Sequence, residues 1–267
     1  MKKEENMPKP LLDVLQGHKV ATPPVWLMRQ AGRYLPEYRQ TRQQAGGFLD
    51  MCDNPQLASD VTLQPIHRYN FDGAIIFADI LLLPRALGQN VWFEPGVGPK
   101  LTPLTPKETV AQLAACDFTS ENSAFAQKLA PVGQALSRTK AHLPPATTLL
   151  GFCGAPWTVA CYMLNGEGAK DWAYVRSLAY QNPQDFAQML SQLARASAAY
   201  LAAQVAAGAD AVQIFDSWAG AVPPQLEEML IVNPVLELAY AFKAQCPDTP
   251  LILFSKNGRQ EVLETFA

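Results

Sequence analysis

Two permanent cations, Arg29 and Arg33, stand four residues apart in "LMRQAGRYLPEYR" (27–39), directly after the apolar run Pro24–Met28. A guanidinium stays charged at every physiological pH and offers a planar fork of donors that fits a carboxylate or phosphate. Gly32, between the two, lets backbone N–H groups come close to a ligand. The stretch Arg29, Gln30, Ala31, Gly32 and Arg33 therefore reads as an anion clamp. The plainer reading pairs the two arginines with Asp50 or Glu37 on the surface.

The same arrangement, a polar group just past an apolar run, recurs along the chain. Asp79 follows Ile75-Ile76-Phe77, Trp157 and Tyr162 follow Gly151-Phe152, Asp216-Ser217-Trp218 follow Ile214-Phe215, and Ser255-Lys256 follow Leu253-Phe254. In parallel α/β folds the C-terminal strand ends share one edge, where loops from several strands build the active site. Each residue also has a structural reading. Asp79 and Ser217 fit helix caps, Tyr162 fits a core tyrosine with its hydroxyl satisfied, and Lys256 fits a solvated charge.

The elements that position these groups follow from period and punctuation. Short apolar runs bounded by Pro or Gly predict strands at 24–28, 74–77, 148–153, 211–215 and 250–254. Asn54-Pro55 and Asn182-Pro183 each offer a cap followed by proline at the first helical position. After the second pair, Phe186, Met189, Leu190, Leu193, Tyr200 and Leu201 form a stripe at helical spacing that Gly208 ends. Residues 91–101 read as a hairpin, and the polar stretch 102–146 as holding one helix at about 120–141. Buried strands alternating with helices imply a parallel sheet covered by helices. Five such strands fit an open α/β sheet or an incomplete barrel, in one domain over 1–267 with an excursion at 95–147.

Composition removes several classes of function. The chain has 267 residues, 49% of them hydrophobic and 17% charged, enough for a sizeable core. A net charge of −3 gives no basic field for nucleic acid. An acidic substrate must then be met by a local cluster of cations. The start "MKKEENMPKP" is too polar for a secretory signal, and no apolar run approaches the ~18 residues of a membrane span. Five scattered cysteines and three isolated histidines read as reduced thiols and ordinary side chains rather than disulfides or a structural metal site. The expected setting is cytoplasmic.

Five motifs, "PVWLMRQAGRYLPEYR", "FADILLLPRALG", "VWFEPGVGPKL", "GFCGAPWTVACYML" and "QIFDSWAG", occur in order and strongly resemble the uroporphyrinogen decarboxylase family, from about residue 10 to Lys256. The resemblance implies a (β/α)8 barrel of the TIM type, a cytoplasmic homodimer without cofactor or metal. Its implied activity is removal of the four acetate carboxyls of uroporphyrinogen, a tetrapyrrole of the haem pathway, to give coproporphyrinogen. By the same resemblance Asp79 gathers the pyrrole N–H groups and stabilises positive charge, Tyr162 and Ser217 bind substrate, and Arg29 is the proton donor. A free guanidinium is a very weak acid, which sits poorly with that last role. The family pattern continues past the end of this chain with three more strands and a histidine in an "LGHG"-like motif, so the resemblance implies a barrel truncated after about five strands. Two other readings stand beside it. One is corrinoid- or zinc-dependent methyl transfer on the same barrel, which wants a His/Cys zinc set. The other is an inactive homologue that binds a tetrapyrrole or a partner chain.

Overall fold

A computed structural model of the chain describes residues 8–94 and 96–266. Its strands are β1 (Gly73–Ile75), β2 (Val91–Glu94), β3 (Gly98–Leu101), β4 (Thr148–Gly154), β5 (Ala211–Asp216) and β6 (Leu251–Ser255). Its α-helices are α1 (Pro10–Leu15), α2 (Pro36–Ala45), α3 (Phe48–Asp53), α4 (Pro55–Tyr69), α5 (Leu82–Ala86) and α6 (Pro106–Ala114), then α7 (Ala124–His142), α8 (Pro156–Asn165), α9 (Ala173–Gln181), α10 (Pro183–Ala206), α11 (Asn233–Gln245) and α12 (Gln260–Glu264). The main sheet has the order β1-β4-β5-β6, and β2 and β3 form a separate antiparallel hairpin. β1 runs parallel to β4, with Gly73, Ala74 and Ile75 opposite Thr148, Leu149 and Leu150. A parallel pair needs a long crossover between its strands; here it carries α5, the hairpin, α6 and α7.

The chain divides into two compact units. One holds the chain to Ala78 with Pro131–Gly151 and Gln204–Val212; the other holds Asp79–Ala130, Phe152–Ala203 and the chain from Gln213. In the first, the Asn54 side chain accepts the amides of Gln56 and Leu57, both at 3.1 Å, and starts α4 as its Asn-Pro signal predicts. Leu35, Tyr38, Met51 and Val61 form a buried cluster there, with Ala31, Ala45 and Phe77 packed against it. The Phe77 ring meets Tyr38 and Phe48 edge-on at 6.0 and 5.6 Å. In the second, Phe186, Met189, Leu190 and Leu193 of the α10 stripe are fully buried. Phe152, Phe215 and Phe254 make an edge-to-face row from β4 through β5 to β6, with centroids 5.4 and 5.9 Å apart.

Two sequence expectations fail. No strand forms at 24–28: Val25 and Leu27 are 57% and 50% exposed, and backbone pairing to the sheet is limited to Val25 with Asp72. The physical reason is Gln30. Its carboxamide donates to the Gly73 carbonyl and accepts the Ile75 amide at 3.2 Å, so one side chain takes the edge of β1 that a neighbouring strand would have used. The parallel sheet therefore has four strands rather than five among the described residues. The stretch 102–146 holds two helices, not one. The missed helix, α6, starts at a reciprocal capping box in which Thr105 and Glu108 exchange side-chain and backbone hydrogen bonds. That Thr-x-x-Glu signature is readable in the sequence. The expected hairpin forms, with Val91 opposite Leu101, but Pro95 at its tip lies outside the described residues.

Two stability predictions follow. Gln30→Leu leaves the Gly73 carbonyl and the Ile75 amide buried and unpaired, so unfolding free energy should fall by roughly 2–4 kcal/mol in a urea titration. An unchanged midpoint would refute the edge-sealing role. Asn54→Ala should lose about 1 kcal/mol by the same measurement, the usual effect of deleting a helix cap.

Candidate functional site

The clamp residues lie in the first unit, on the turn into α2. Arg29 and Arg33 are exposed, and among the described residues neither guanidinium carries an ion pair. The surface pairing with Glu37 does not occur, because Glu37 holds Arg68 through two hydrogen bonds of 2.8 Å. That fork holds the Glu37 carboxyl below its ordinary pKa. The turn is fixed by its backbone. The Leu35 amide donates to the Gly32 carbonyl at 3.0 Å, Arg39 donates to the Arg33 carbonyl at 2.7 Å, and the Tyr34 hydroxyl donates to the Gln30 carbonyl. Both cations thus leave a rigid base with free heads.

The residues between them have different tasks from the one the sequence suggested. The Gln30 amide is spent on β1, and Ala31 packs on the Leu35–Tyr38 cluster. A Cβ added to Gly32 would meet only the Tyr34 ring at 3.4–3.5 Å, an ordinary contact. The fold itself therefore does not demand glycine at position 32, and what remains for a ligand there is an accessible backbone.

Asp79, Tyr162 and Ser217 lie in the second unit. Asp79 accepts the Leu81 amide on Oδ1 at 2.8 Å in a turn ahead of α5; the N-cap of α5 is Leu81 and carries no side-chain cap bond, so Asp79 shapes the preceding turn and does not cap the helix. Tyr162, on α8, is half-buried in an aromatic group with Trp172 and Trp218; the centroids lie 5.3 Å (Tyr162–Trp172), 6.4 Å (Tyr162–Trp218) and 5.0 Å (Trp172–Trp218) apart. Trp172 has φ of +57°, a left-handed conformation that a bulky side chain adopts only when its surroundings force it. It is buried to 1%, and its indole N–H has no hydrogen-bond partner among the described residues. Ser217 lines a cavity of about 280 Å³ with Trp218, Lys170, Arg176, Lys256 and Asn257 among its walls. The loops after β5 and β6 are stitched into one floor. The Lys256 amide donates to the Asp216 carbonyl at 2.9 Å, and the Gly220 amide donates to the Lys256 carbonyl at 3.1 Å. Gly220 is required, since a Cβ there would come within 2.6 Å of the Asn257 Cβ and 2.9 Å of its carbonyl oxygen.

Beneath that floor the Asp216 carboxyl is fully buried. Oδ1 accepts the Thr158 hydroxyl at 2.7 Å, and Thr158 in turn accepts the Trp218 amide at 3.1 Å; Oδ2 has no partner among the described residues. Desolvation raises its pKa to about 7, with the Thr158 and Trp218 hydrogen bonds opposing the shift. Burial likewise raises the Cys153 and Cys161 thiols well above their ordinary value, which makes them inert core groups. Among the described residues no group of three His, Cys, Asp or Glu side chains comes together as a metal site would require. No helix of the described residues is long and apolar enough to cross a membrane.

The strand-end rule located Asp79, Asp216, Ser217, Trp218 and Lys256. It missed Lys170, Arg176 and Trp172, which precede or open α9 and follow no strand. Their only sequence signal is the charged stretch Glu167–Asp171 that follows Gly166 between two helices; it holds Lys170 and ends next to Trp172, and nothing in it points to Arg176.

Comparison with known proteins agrees with this architecture. The uroporphyrinogen decarboxylase (URO-D) family model matches residues 6–267. The uroporphyrinogen decarboxylase of Mesorhizobium japonicum is 51% identical over 254 residues, covering 94% of this chain and 72% of its own. The one from Rhodospirillum rubrum is 47% identical over 258 residues, covering 97% and 72%. Among solved structures, a methyltransferase from Methanosarcina mazei superposes with a TM-score of 0.69 over 91% of this chain and 68% of its own; at 18% identity it speaks for the fold alone. With a parallel α/β sheet, the Arg29–Arg33 turn and a family match over nearly its whole length, this chain belongs to the uroporphyrinogen decarboxylase family.

Proposed function

We propose that the chain removes the carboxyl groups of the four acetate arms of uroporphyrinogen III, giving coproporphyrinogen III, and that its fold is of the (β/α)8 barrel type. The reading rests on relatives of that name at 47–51% identity. The observation that carries it is the Arg29–Arg33 pair, two exposed cations on a fixed turn without ion pairs among the described residues. Such cations suit a substrate with eight carboxylates, each of which a guanidinium can take bidentately. Gln30, Ala31 and Gly32 contribute the backbone of the same turn.

Loss of CO2 from an acetate arm needs somewhere for the bonding electron pair to go. A proton added to the pyrrole α-carbon next to the one that bears the arm makes the ring a cation conjugated with the arm-bearing carbon. When the C–C bond breaks, its electron pair neutralises that cation and CO2 leaves. A second proton on the resulting exocyclic methylene, with loss of the ring proton, gives the methyl group. The charge that develops sits on the pyrrole, so an anion held against it lowers the barrier. Asp79 is assigned that role together with contact to the pyrrole N–H groups, and its Leu81 bond fixes the carboxyl's direction. Tyr162 and Ser217 are assigned to substrate binding. Arg29, also assigned to proton supply by its family counterpart, acts chiefly as a charge holder, since its guanidinium gives up a proton poorly. The protein is placed in the cytoplasm as a homodimer, with the tetrapyrrole as its ligand.

An anaerobic assay of CO2 release and of partly decarboxylated porphyrinogens tests this directly. Asp79→Asn should lower kcat by about 10²-fold or more, the usual effect of losing a group aimed at developing charge. Wild-type protein that releases no CO2 overturns the assignment.

The buried carboxyl gives a separate expectation. Its folded pKa of about 7 lies above the unfolded 3.8, so the folded state binds the extra proton across that interval. Its contribution is therefore complete below pH 4 and is lost as pH rises through 7, by roughly 4 kcal/mol at 1.36 kcal/mol per unit. Asp216→Asn should flatten the decline in urea stability between pH 4.5 and 7.5. Equal slopes for wild type and variant would refute a neutral Asp216.

A further inference from the structure

We propose that Lys170, Arg176 and Lys256 form a second carboxylate-binding subsite beside Ser217, distinct from the Arg29–Arg33 pair, which holds one acidic arm of the tetrapyrrole. The inference deepens the proposed function and rests on it for the identity of the ligand.

Charge is the first observation. Three cations and one carboxylate, Asp171, line a single cavity in a chain whose net charge is −3. None of the three cations has an ion pair among the described residues. Asp171 is partly engaged already, accepting the Ala173 amide at 3.1 Å. The cavity therefore holds an excess of unneutralised positive charge where an anion is favoured.

Shape and rigidity are the second. A cavity of about 280 Å³ is below the range of about 300–1,000 Å³ that takes a whole drug-sized ligand, so it fits a side arm and not a macrocycle. Its walls are held in place. Arg176 donates to the Ala221 carbonyl at 3.1 Å, which leaves other donors of the fork for a ligand. The Lys256 ammonium lies 6.0 Å from the Trp218 ring centroid. The Trp218 indole N–H is buried and has no partner among the described residues. Strain at Trp172 buys the third side of this aromatic wall, at the start of the helix that carries Arg176.

An arm held here is remote from bond breaking, so its loss should raise KM and spare kcat. The test uses Lys170→Gln/Lys256→Gln, because both side chains are exposed and neither makes a hydrogen bond that supports the fold. Binding is read by tryptophan quenching with uroporphyrin III, the oxidised octacarboxylate, and with its octamethyl ester. The double variant should bind the octacarboxylate about tenfold more weakly and with a shallower salt dependence, while binding the ester as wild type does. KM for uroporphyrinogen should rise similarly at constant kcat. Variant affinity and KM equal to wild type, an equal loss for the ester, or no octacarboxylate binding by wild type would each overturn the subsite. Wild type that binds the octacarboxylate, loses that binding in the variant, yet releases no CO2 would sink the proposed reaction and leave the subsite standing.

Discussion

Buried backbone groups must be hydrogen-bonded, and much of this structure follows from where the sheet cannot do that by itself. Among the described residues β1 has no neighbouring strand on one side, and the Gln30 carboxamide supplies one donor and one acceptor there. At the entry to β4 the Leu149 amide bonds to the Asp210 carboxylate at 2.8 Å, and Asp210 also holds Lys9 at 2.6 Å and Lys140. Asp72 accepts the Val25 amide at 2.7 Å just before β1. Three polar side chains thus finish what the ladder leaves open. Each ties a loop or terminal segment to a strand as it does so.

The same requirement shapes the candidate site. The segment that carries Arg29 and Arg33 is anchored through Gln30, one of the three residues between them, so sealing the sheet edge also sets where the cations start. In the second unit the post-β5 turn is held from below by the Asp216–Thr158–Trp218 chain and from the side by backbone bonds to the post-β6 loop. A carboxyl whose pKa burial raises to about 7, so that it is protonated below that pH, suits that position. It accepts one hydroxyl hydrogen bond without placing a full charge in the core, where an unpaired ion would be strongly disfavoured.

The chemistry that the proposed function asks of the site is modest. A pyrrole that accepts a proton is its own electron sink, so the protein has to hold many carboxylates and place one anion well. Under the proposed function, the Arg29–Arg33 turn is assigned the first task and Asp79, its carboxylate directed by the Leu81 amide, the second. The relatives from Mesorhizobium japonicum and Rhodospirillum rubrum each extend beyond the matched region, this chain covering 72% of either.

The sequence by itself determined the helix starts at Asn54-Pro55 and Asn182-Pro183, the α10 stripe, the hairpin at 91–101, four of the strand-end polar clusters and the family. Those signals are local: a cap, a period or a motif lies within a few residues of its consequence. Tertiary structure alone decided that 24–28 is no strand, because Gln30 reaches across to Gly73 and Ile75, more than 40 residues away. It decided that Gln30 and Ala31 serve the fold, and that Gly32 is not demanded by sterics. It also gathered Lys170, Arg176 and Trp172 beside Ser217 and Lys256. No pattern within one segment reports which loops from different strands end up sharing a wall, since that depends on how the whole chain packs.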